Sequence, residues 1–358
     1  MVLGHGEDDG FAALLAPAHL LACARAAAQG KRCKADVAAF EYRLGERVLA
    51  LQQRLARQTW HPQPYRHFAL QESKRRWISA APFEDRVVHH ALVRVLEPRF
   101  ERCFIGDSFA NRVGKGTHLA VARLRGLSRQ HPWVLRMDVR QHFASIDHAL
   151  LQACLFARVP EPGLRRLITL IIGSGAGIHD QRSQALLLPG DDLLALARPR
   201  GLPIGNLSSQ FWSNCYLDSL DQFVKRTLRV QGYLRYVDDF ALFGHDRRTL
   251  AAQGERVKTF LAQRLRLQVH EAQAQVQPTA AGTPWLGFVV GPERTRVKGR
   301  KVVEAHRCLA HWHGCWQRGE CSFAELDARV QGWLAHVAQA DSWHLRERVL
   351  AGLPLTRP

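Results

Sequence analysis

Residues 233–242 read Tyr-Leu-Arg-Tyr-Val-Asp-Asp-Phe-Ala-Leu. Apolar residues flank a polar centre, so the stretch reads as two short strands joined around Val237-Asp238-Asp239. An Asp-Asp pair alone is ordinary turn chemistry, because Asp suits turns. The surroundings make it more than that. About a hundred residues upstream, Trp133–Val139 is another short apolar run, and it carries an acid, Asp138, near its end. One acid at a strand end and two at the tip of an apolar hairpin form a constellation that ordinary packing does not explain.

Working outward from these strands, helical patterns alternate with them. Leu44, Val48, Leu51 and Leu55 recur at helical spacing, and Pro62 and Pro64 close that segment. A second helix is predicted from Asp85 to Glu97, with Pro98 as its stop, and a third after Asp147 as N-cap. A fourth is predicted over Ser208–Leu228. Trp285–Val290 reads as one strand with Thr295–Val303 as its partner, and the chain beyond Glu304 reads as helical. Gly173–Arg200 is loop-like, and its Asp191-Asp192 pair reads as solvated loop. The pattern predicts an α+β fold, with a mostly helical lobe on each side of a mixed centre.

The 358 residues carry 50 Lys and Arg against 32 Asp and Glu, a formal charge of +18. Such an excess points to a polyanionic partner, most often nucleic acid. No apolar run reaches the ~18 residues of a membrane span. The apolar stretch from Phe11 to Ala28 is broken by His19 and Arg25, and it follows Glu7, Asp8 and Asp9, the reverse of a secretory signal. Eight cysteines scattered over so long a chain fit a reducing, cytoplasmic setting better than a disulfide framework.

Nucleotidyl transfer requires two divalent cations ~3.5–4 Å apart, held by carboxylates on rigid elements. Asp138 and the Asp238-Asp239 pair have the placement for that. The string Tyr236-Val237-Asp238-Asp239 closely resembles the catalytic box of reverse transcriptases. Arg136-Met137-Asp138-Val139, with Phe143 following, resembles the first catalytic box, and Gly201–Gln210 (Gly-Leu-Pro-Ile-Gly-Asn-Leu-Ser-Ser-Gln) the nucleotide-pocket box. Trp285-Leu286-Gly287-Phe288 looks like the primer grip. Lys74-Arg75-Arg76-Trp77-Ile78 and Asp85–Leu92 resemble the fingers boxes. Most bacterial relatives carry Gln-Gly-x-x-x-Ser-Pro in the pocket box. Ile204 and Gln210 here resemble instead the reverse transcriptases of diversity-generating retroelements, as do Gly30-Lys31-Arg32, Phe40-Glu41, Tyr65–Phe68 and Ser108–His118.

The resemblance implies a right-hand polymerase. Residues 1–70 would be an N-terminal helical extension, 71–130 fingers, 131–290 palm and 291–358 a helical thumb. It implies Mg2+ (two ions, with Mn2+ as substitute), an RNA template, the cDNA/RNA duplex and dNTPs. It further implies adenine-mutagenic copying, a small basic helical oligomeric accessory protein, no membrane, and a cytoplasmic enzyme of bacterial or phage origin. Asp138 and Asp238 would hold the metals, with Asp239 as supporting carboxylate and the Val139 carbonyl completing a shell. Phe143 would exclude the 2′-hydroxyl. Lys74 and Arg76 would grip the triphosphate. Ile204, Gly205, Gln210 and Tyr236 would line the nucleotide pocket, Trp285, Leu286 and Gly287 would hold the primer, and Arg112 or Lys115 would touch nucleic acid.

The sequence departs from the family once. Where relatives have a Lys thought to protonate pyrophosphate, this chain has Gln273, with His270 as the nearby alternative acid. The Cys and His residues from His306 to Cys321 do not follow paired zinc-ligand spacing, and Gly114-Lys115-Gly116-Thr117 is not a phosphate-binding loop of the Walker type. Two further readings fit the same boxes: an intron-like or defence-associated reverse transcriptase, and a domesticated RNA-binding scaffold. Intact carboxylates weigh against the scaffold. No maturase, endonuclease or integrase pattern is read after the thumb segment.

Overall fold

The computed structural model describes residues 10–71, 75–180, 188, 191 and 193–353. In chain order, helices α1 (Gly10–Leu15), α2 (Pro17–Ala28), α3 (Ala35–Tyr42) and α4 (Leu44–Ala56) precede strands β1 (Arg66–Gln71) and β2 (Arg75–Ala80). Then come α5 (Phe83–Glu101), α6 (Thr117–Gln130), β3 (Trp133–Asp138), α7 (His142–Ser145), α8 (His148–Phe156), α9 (Pro162–Gly173) and α10 (Leu207–Gln222). Strands β4 (Gly232–Tyr236) and β5 (Asp239–Gly244) lead into α11 (Arg247–Leu265). Short strands β6 (Val276–Pro278), β7 (Thr283–Trp285), β8 (Phe288–Val290) and β9 (Thr295–Val297) follow, then α12 (Gly299–Gln317), α13 (Phe323–Val337) and α14 (Trp343–Ala351). The mixed helix-and-sheet class expected from the sequence is the class observed. Among the described residues no helix is long and apolar enough to cross a membrane.

The chain forms two compact units. One takes the residues up to Gly106 together with Val139–Phe223 and Val257–Val269. Its described residues form a helical assembly that carries the hairpin of β1 paired antiparallel with β2. Helix α5 is its axis. Val87, Val88, Ala91, Leu92 and Leu96 are buried, and α5 packs on α2 and α10. Helix α10 is buried on nearly every side, as a helix central to a core must be.

The other unit takes Asp107–Asp138, Val224–Arg256 and the chain from His270 onward. Its antiparallel sheet has the order β4-β5-β3-β6, and a second sheet the order β7-β8-β9. Ala120, Val121, Leu124 and Leu127 of α6 form one core with Val134, Leu234, Ala241 and Phe243 of the large sheet and Trp285, Phe288 and Val290 of the small one. Leu135 and Met137 point to the opposite face, where α11 lies so close that a Cβ on Gly254 would come within 2.4 Å of the Leu135 side chain. Only glycine fits there without overpacking.

Several elements differ from the sequence reading. Helix α5 runs a turn beyond its expected stop, with Pro98 inside it. Phe100 is buried and meets Phe211 edge-on at 5.5 Å, so packing outweighs the hydrogen bond that proline removes. The fourth helix ends at Gln222 and continues as a π-helical turn over Phe223–Thr227. Trp285–Val290 is not one strand but a hairpin, because Leu286 and Gly287 both have positive φ and reverse the chain between β7 and β8. The strand beginning at Thr295 stops at Val297, and helix α12 starts at Gly299. Asp191 is tied to Arg198 at 3.0 Å and Arg266 at 3.4 Å; Asp192 lies outside the described residues.

The N-cap expected at Asp147 is present. Its carboxylate is buried and accepts from the Leu150 amide at 3.0 Å. Replacing Asp147 with Ala should lower unfolding free energy by about 1–2 kcal/mol, and Asp147→Ser should recover most of the loss, as read by urea denaturation.

Candidate active site

Strand register builds the acidic centre. β3 and β5 pair so that Asp138 stands directly across from Asp239. Asp238 sits one residue before Asp239, in the two-residue connection from β4, where Tyr236 pairs with Asp239. Alternation along the strands puts Val134, Arg136 and Asp138 on one face with Asp239, Ala241 and Phe243. The apolar members of that face enter the core beneath α6. The ionic members lie at the end of the sheet where the hairpin turns.

The hairpin tip is conformationally costly. Val237 has φ +57°, a region that β-branched residues seldom enter and that stores roughly 1–3 kcal/mol. A buried arginine holds it in place: Arg235 is fully buried and its guanidinium donates to the Val237 carbonyl at 2.9 Å. Arg235 is itself pinned by its main chain, donating to Asp107 at 2.9 Å and accepting from Phe109 at 3.0 Å. The Tyr236 and Thr117 hydroxyls lie 3.1 Å apart, which ties the strand before the tip to the start of α6. Lys115 lies over the Phe109 ring at 5.1 Å and Arg112 donates to the Ser108 carbonyl at 3.0 Å. Both therefore help close the loop that leads into α6.

Asp239 is engaged by an arginine the sequence reading had not singled out. Arg136 Nε donates to its Oδ1 and Nη2 to its Oδ2, each at 2.8 Å. The Asp239 carboxyl is raised to about 6: burial, with the nearby Asp138 charge, pushes it up against the opposing pull of Arg136 and Lys298. Burial also works against the charge on Arg136, but the Asp239 carboxylate outweighs it and its pKa rises. Among the described residues no three His, Cys, Asp or Glu side chains stand close enough to hold a metal ion. Mg2+ does not need three: it is commonly held by one or two carboxylates, with water and substrate phosphates completing its octahedron. Asp138 and Asp238 supply hard oxygen donors of that kind. His270, the alternative acid, donates its amide to the Asp138 carbonyl at 2.9 Å. The side chain of Gln273 lies outside the described residues.

The expected primer-grip residues divide. Trp285 is fully buried in the core, while Leu286 and Gly287 form the turn, whose Gly287 carbonyl accepts from Lys298 at 2.9 Å. Among the described residues the C-terminal Cys and His side chains form no group of three that could hold a metal ion. Cys315 lies 3.7 Å from His311, Cys321 contacts the Trp312 carbonyl, and His313 is buried beside Trp316.

In the first unit, the pocket box is bolted to two neighbours. The Leu202 amide donates to the Phe143 carbonyl at 2.7 Å and Gly201 to Ile146 at 2.9 Å. On the other side the Ser79 amide donates to the Ile204 carbonyl at 2.9 Å. Asn206 uses both ends of its amide there, donating to Ser79 at 2.8 Å and accepting from Ala81 at 3.1 Å. Gly205 has φ +107°, and a Cβ on it would lie 2.7 Å from the Ile78 side chain. Other residues are excluded by strain and by contact. Ile204 and Phe143 are half-buried, and Gly205 is exposed. Arg76 is exposed two residues before Ile78, on the same face of β2. Gln210 is half-buried in the first turn of α10. Val139 is buried and bridges to Val269. Lys74 lies outside the described residues.

Sequence reasoning missed Arg136, Arg235 and Asn206. The signal for Arg136 was available, since it lies two positions before Asp138 and so on the same strand face. For Arg235 and Asn206 the partners are main-chain atoms, which no residue pattern reveals.

Three relatives share parts of this sequence. The group II intron-encoded protein LtrA of Lactococcus lactis subsp. cremoris is 25% identical over 182 residues, covering 50% of this chain and 28% of LtrA. Protein YkfC of Escherichia coli strain K12 is 23% identical over 301 residues, 73% of this chain and 75% of YkfC. Nuclear intron maturase 1, mitochondrial, of Arabidopsis thaliana is 32% identical over 92 residues, 26% of this chain and 12% of the maturase. The chain thus spans little more than a quarter of LtrA. The family model for reverse transcriptase (RNA-dependent DNA polymerase) matches residues 66–290. That match contains β1 and β2, the pocket box, all three acidic residues and the Trp285–Phe288 turn, and the chain belongs to the reverse transcriptase family.

Proposed function

We propose that this chain is an RNA-directed DNA polymerase of the diversity-generating retroelement type. The observation that carries the polymerase reading is the register that sets Asp138 against Asp239 with Asp238 at the adjoining turn. The family match supports it. In this reading the large sheet of the second unit serves as palm, the β1–β2 hairpin as part of the fingers, and α12–α14 as thumb.

Asp138 and Asp238 would hold the divalent metal, Mg2+ with Mn2+ as substitute. Two such ions, when bound, would supply activation of the primer 3′-hydroxyl and charge neutralisation at the departing pyrophosphate. The remaining work falls to the chain. Arg76 presents a planar donor fork to the triphosphate. Phe143, fixed through its own carbonyl to the pocket box, blocks the space a 2′-hydroxyl needs. Gly205 lets the nucleotide approach the main chain, and Ile204 and Gln210 border the nascent pair. The basic surface supplies affinity for the template-primer backbone.

The subtype rests on Ile204 and Gln210. Where accurate relatives offer a glutamine, Ile204 gives apolar contact alone, so a mispair loses less relative to a correct pair. One good hydrogen bond discriminates by roughly 1–3 kcal/mol, about 5- to 150-fold in error frequency. The preference for template adenine, and a small basic helical accessory protein as partner, come from the resemblance. A second reading, an intron-type reverse transcriptase, is favoured by the intron-encoded protein and the intron maturase among the relatives.

Asp138→Ala and Asp238→Ala should each abolish primer extension on RNA and leave RNA binding within about twofold, since neither belongs to the basic surface. Extension by Asp238→Ala at a measurable rate would refute the polymerase reading.

Sequenced cDNA should show errors concentrated opposite template adenine, reduced about 5-fold or more in Ile204→Gln. Errors spread evenly over all four template bases would leave the intron-type reading.

A further inference from the structure

Asp239 is the second acid of the hairpin pair, and its position in the catalytic box invites a ligand role. Its side chain is otherwise employed. Arg136 grips both of its oxygens at 2.8 Å, with side-chain exposures of only 22% for Arg136 and 15% for Asp239. Lys298 adds a second positive charge to its surroundings. Bidentate pairing of this kind fixes orientation as well as charge. Among the described residues, Asp138, Asp238 and Asp239 do not form a three-carboxylate cluster, and both oxygens of Asp239 are taken up by the Arg136 fork.

We infer that Arg136 is a positioning residue that withholds Asp239 from the metal centre, leaving a two-carboxylate site made by Asp138 and Asp238. This rests on the assignment of those two residues as the metal-holding pair. The arrangement has two effects. It keeps the ligand charge at two, and ligand charge count is a main determinant of affinity for hard cations. It also anchors the first residue of β5 to β3, which fixes the position of Asp238 beside the strained Val237. Two-carboxylate sites leave more of the metal's coordination sphere to the triphosphate. Arg136 therefore makes metal binding depend more on the arriving nucleotide.

The test is a Mn2+ titration of the protein alone, without nucleic acid or nucleotide, followed by electron paramagnetic resonance of the free ion. A single substitution at Asp239 is uninformative by itself, because it removes a charge near the site whether or not Asp239 is a ligand. The double variant Arg136→Gln/Asp239→Asn is the decisive one. It keeps the net charge of the pair at zero and can keep a hydrogen bond between the two side chains. Its Mn2+ affinity should stay within about twofold of wild type, because the ligand pair and the charge count around it are unchanged. Arg136→Gln alone, which frees Asp239 to reach the ion and also removes a positive charge near Asp138 and Asp238, should bind about tenfold tighter; Arg136→Lys keeps that charge and separates the two effects. Arg136→Lys, a single-point contact, should fall between. Thermal melts verify that each variant is folded, and Arg136→Lys carries the comparison if Arg136→Gln does not fold. Loss of affinity in the double variant, or an unchanged affinity in the folded single Arg136 variant, would overturn the inference. Asp238→Asn separates this from the assignment beneath it. If that variant binds Mn2+ like wild type, the metal-holding pair itself is wrong. If it loses binding and the double variant loses it too, only the role given to Arg136 fails.

Discussion

Antiparallel pairing of β3 with β5 is the constraint on which the acidic centre depends. Side chains alternate along a strand, so a slip of one residue would send Arg136 and Asp138 to the opposite face and bring Leu135 and Met137 in their place. Burial on both faces prevents this. Val134 is enclosed beneath α6, and Leu135 and Met137 are enclosed beside Gly254 of α11. Neither set of apolar residues can be turned outward without exposing the other face's partner. The apolar residues between the acids are thus what hold the acids in register, and the Arg136–Asp239 fork closes the last rung of the ladder.

The hairpin tip illustrates a different balance. A valine in left-handed backbone is unfavourable in isolation, and it persists because the strands on each side are paired through five positions and because Arg235 captures its carbonyl from within the core. Local preference loses to tertiary support here, as it does where α5 continues through Pro98. In both places the competing term is burial of a large side chain or a charged one, which no local propensity contains.

The main elements and the acidic residues were legible in the sequence because each is written in side-chain period or type. Short apolar runs beside acids marked β3, β4 and β5, helical spacing marked α4, Pro98 marked the approach to the end of α5, and Asp147 marked the start of α8. Boundaries governed by main-chain conformation were less legible. Leu286 carries positive φ without being a glycine or asparagine, so the turn between β7 and β8 read as continuous strand. The division into two units, each assembled from separated stretches of chain, was not legible at all, because contacts between distant segments leave no local mark. Within the site, the types of residue that bear chemistry stood out, whereas the residues that aim them did not. Arg136 looked like one basic residue among 50.

Asn206 has a mechanical consequence. Its amide donates to one end of β2 and accepts from the next turn, and the neighbouring Ile204 carbonyl is held by Ser79. Three hydrogen bonds over so short a distance make the end of β2 and the Ile204 loop a single lever. Arg76 lies on the same strand, so a tug on its guanidinium is felt at Ile204 without any hinge between. A carboxylate in place of the amide would keep the acceptor and lose the donor, cutting the linkage on one side only. If Arg76 and Ile204 have the roles proposed for them, grip on the phosphates and tolerance for the base are not independent settings in this chain: whatever stiffens or displaces the hairpin also shifts the Ile204 loop.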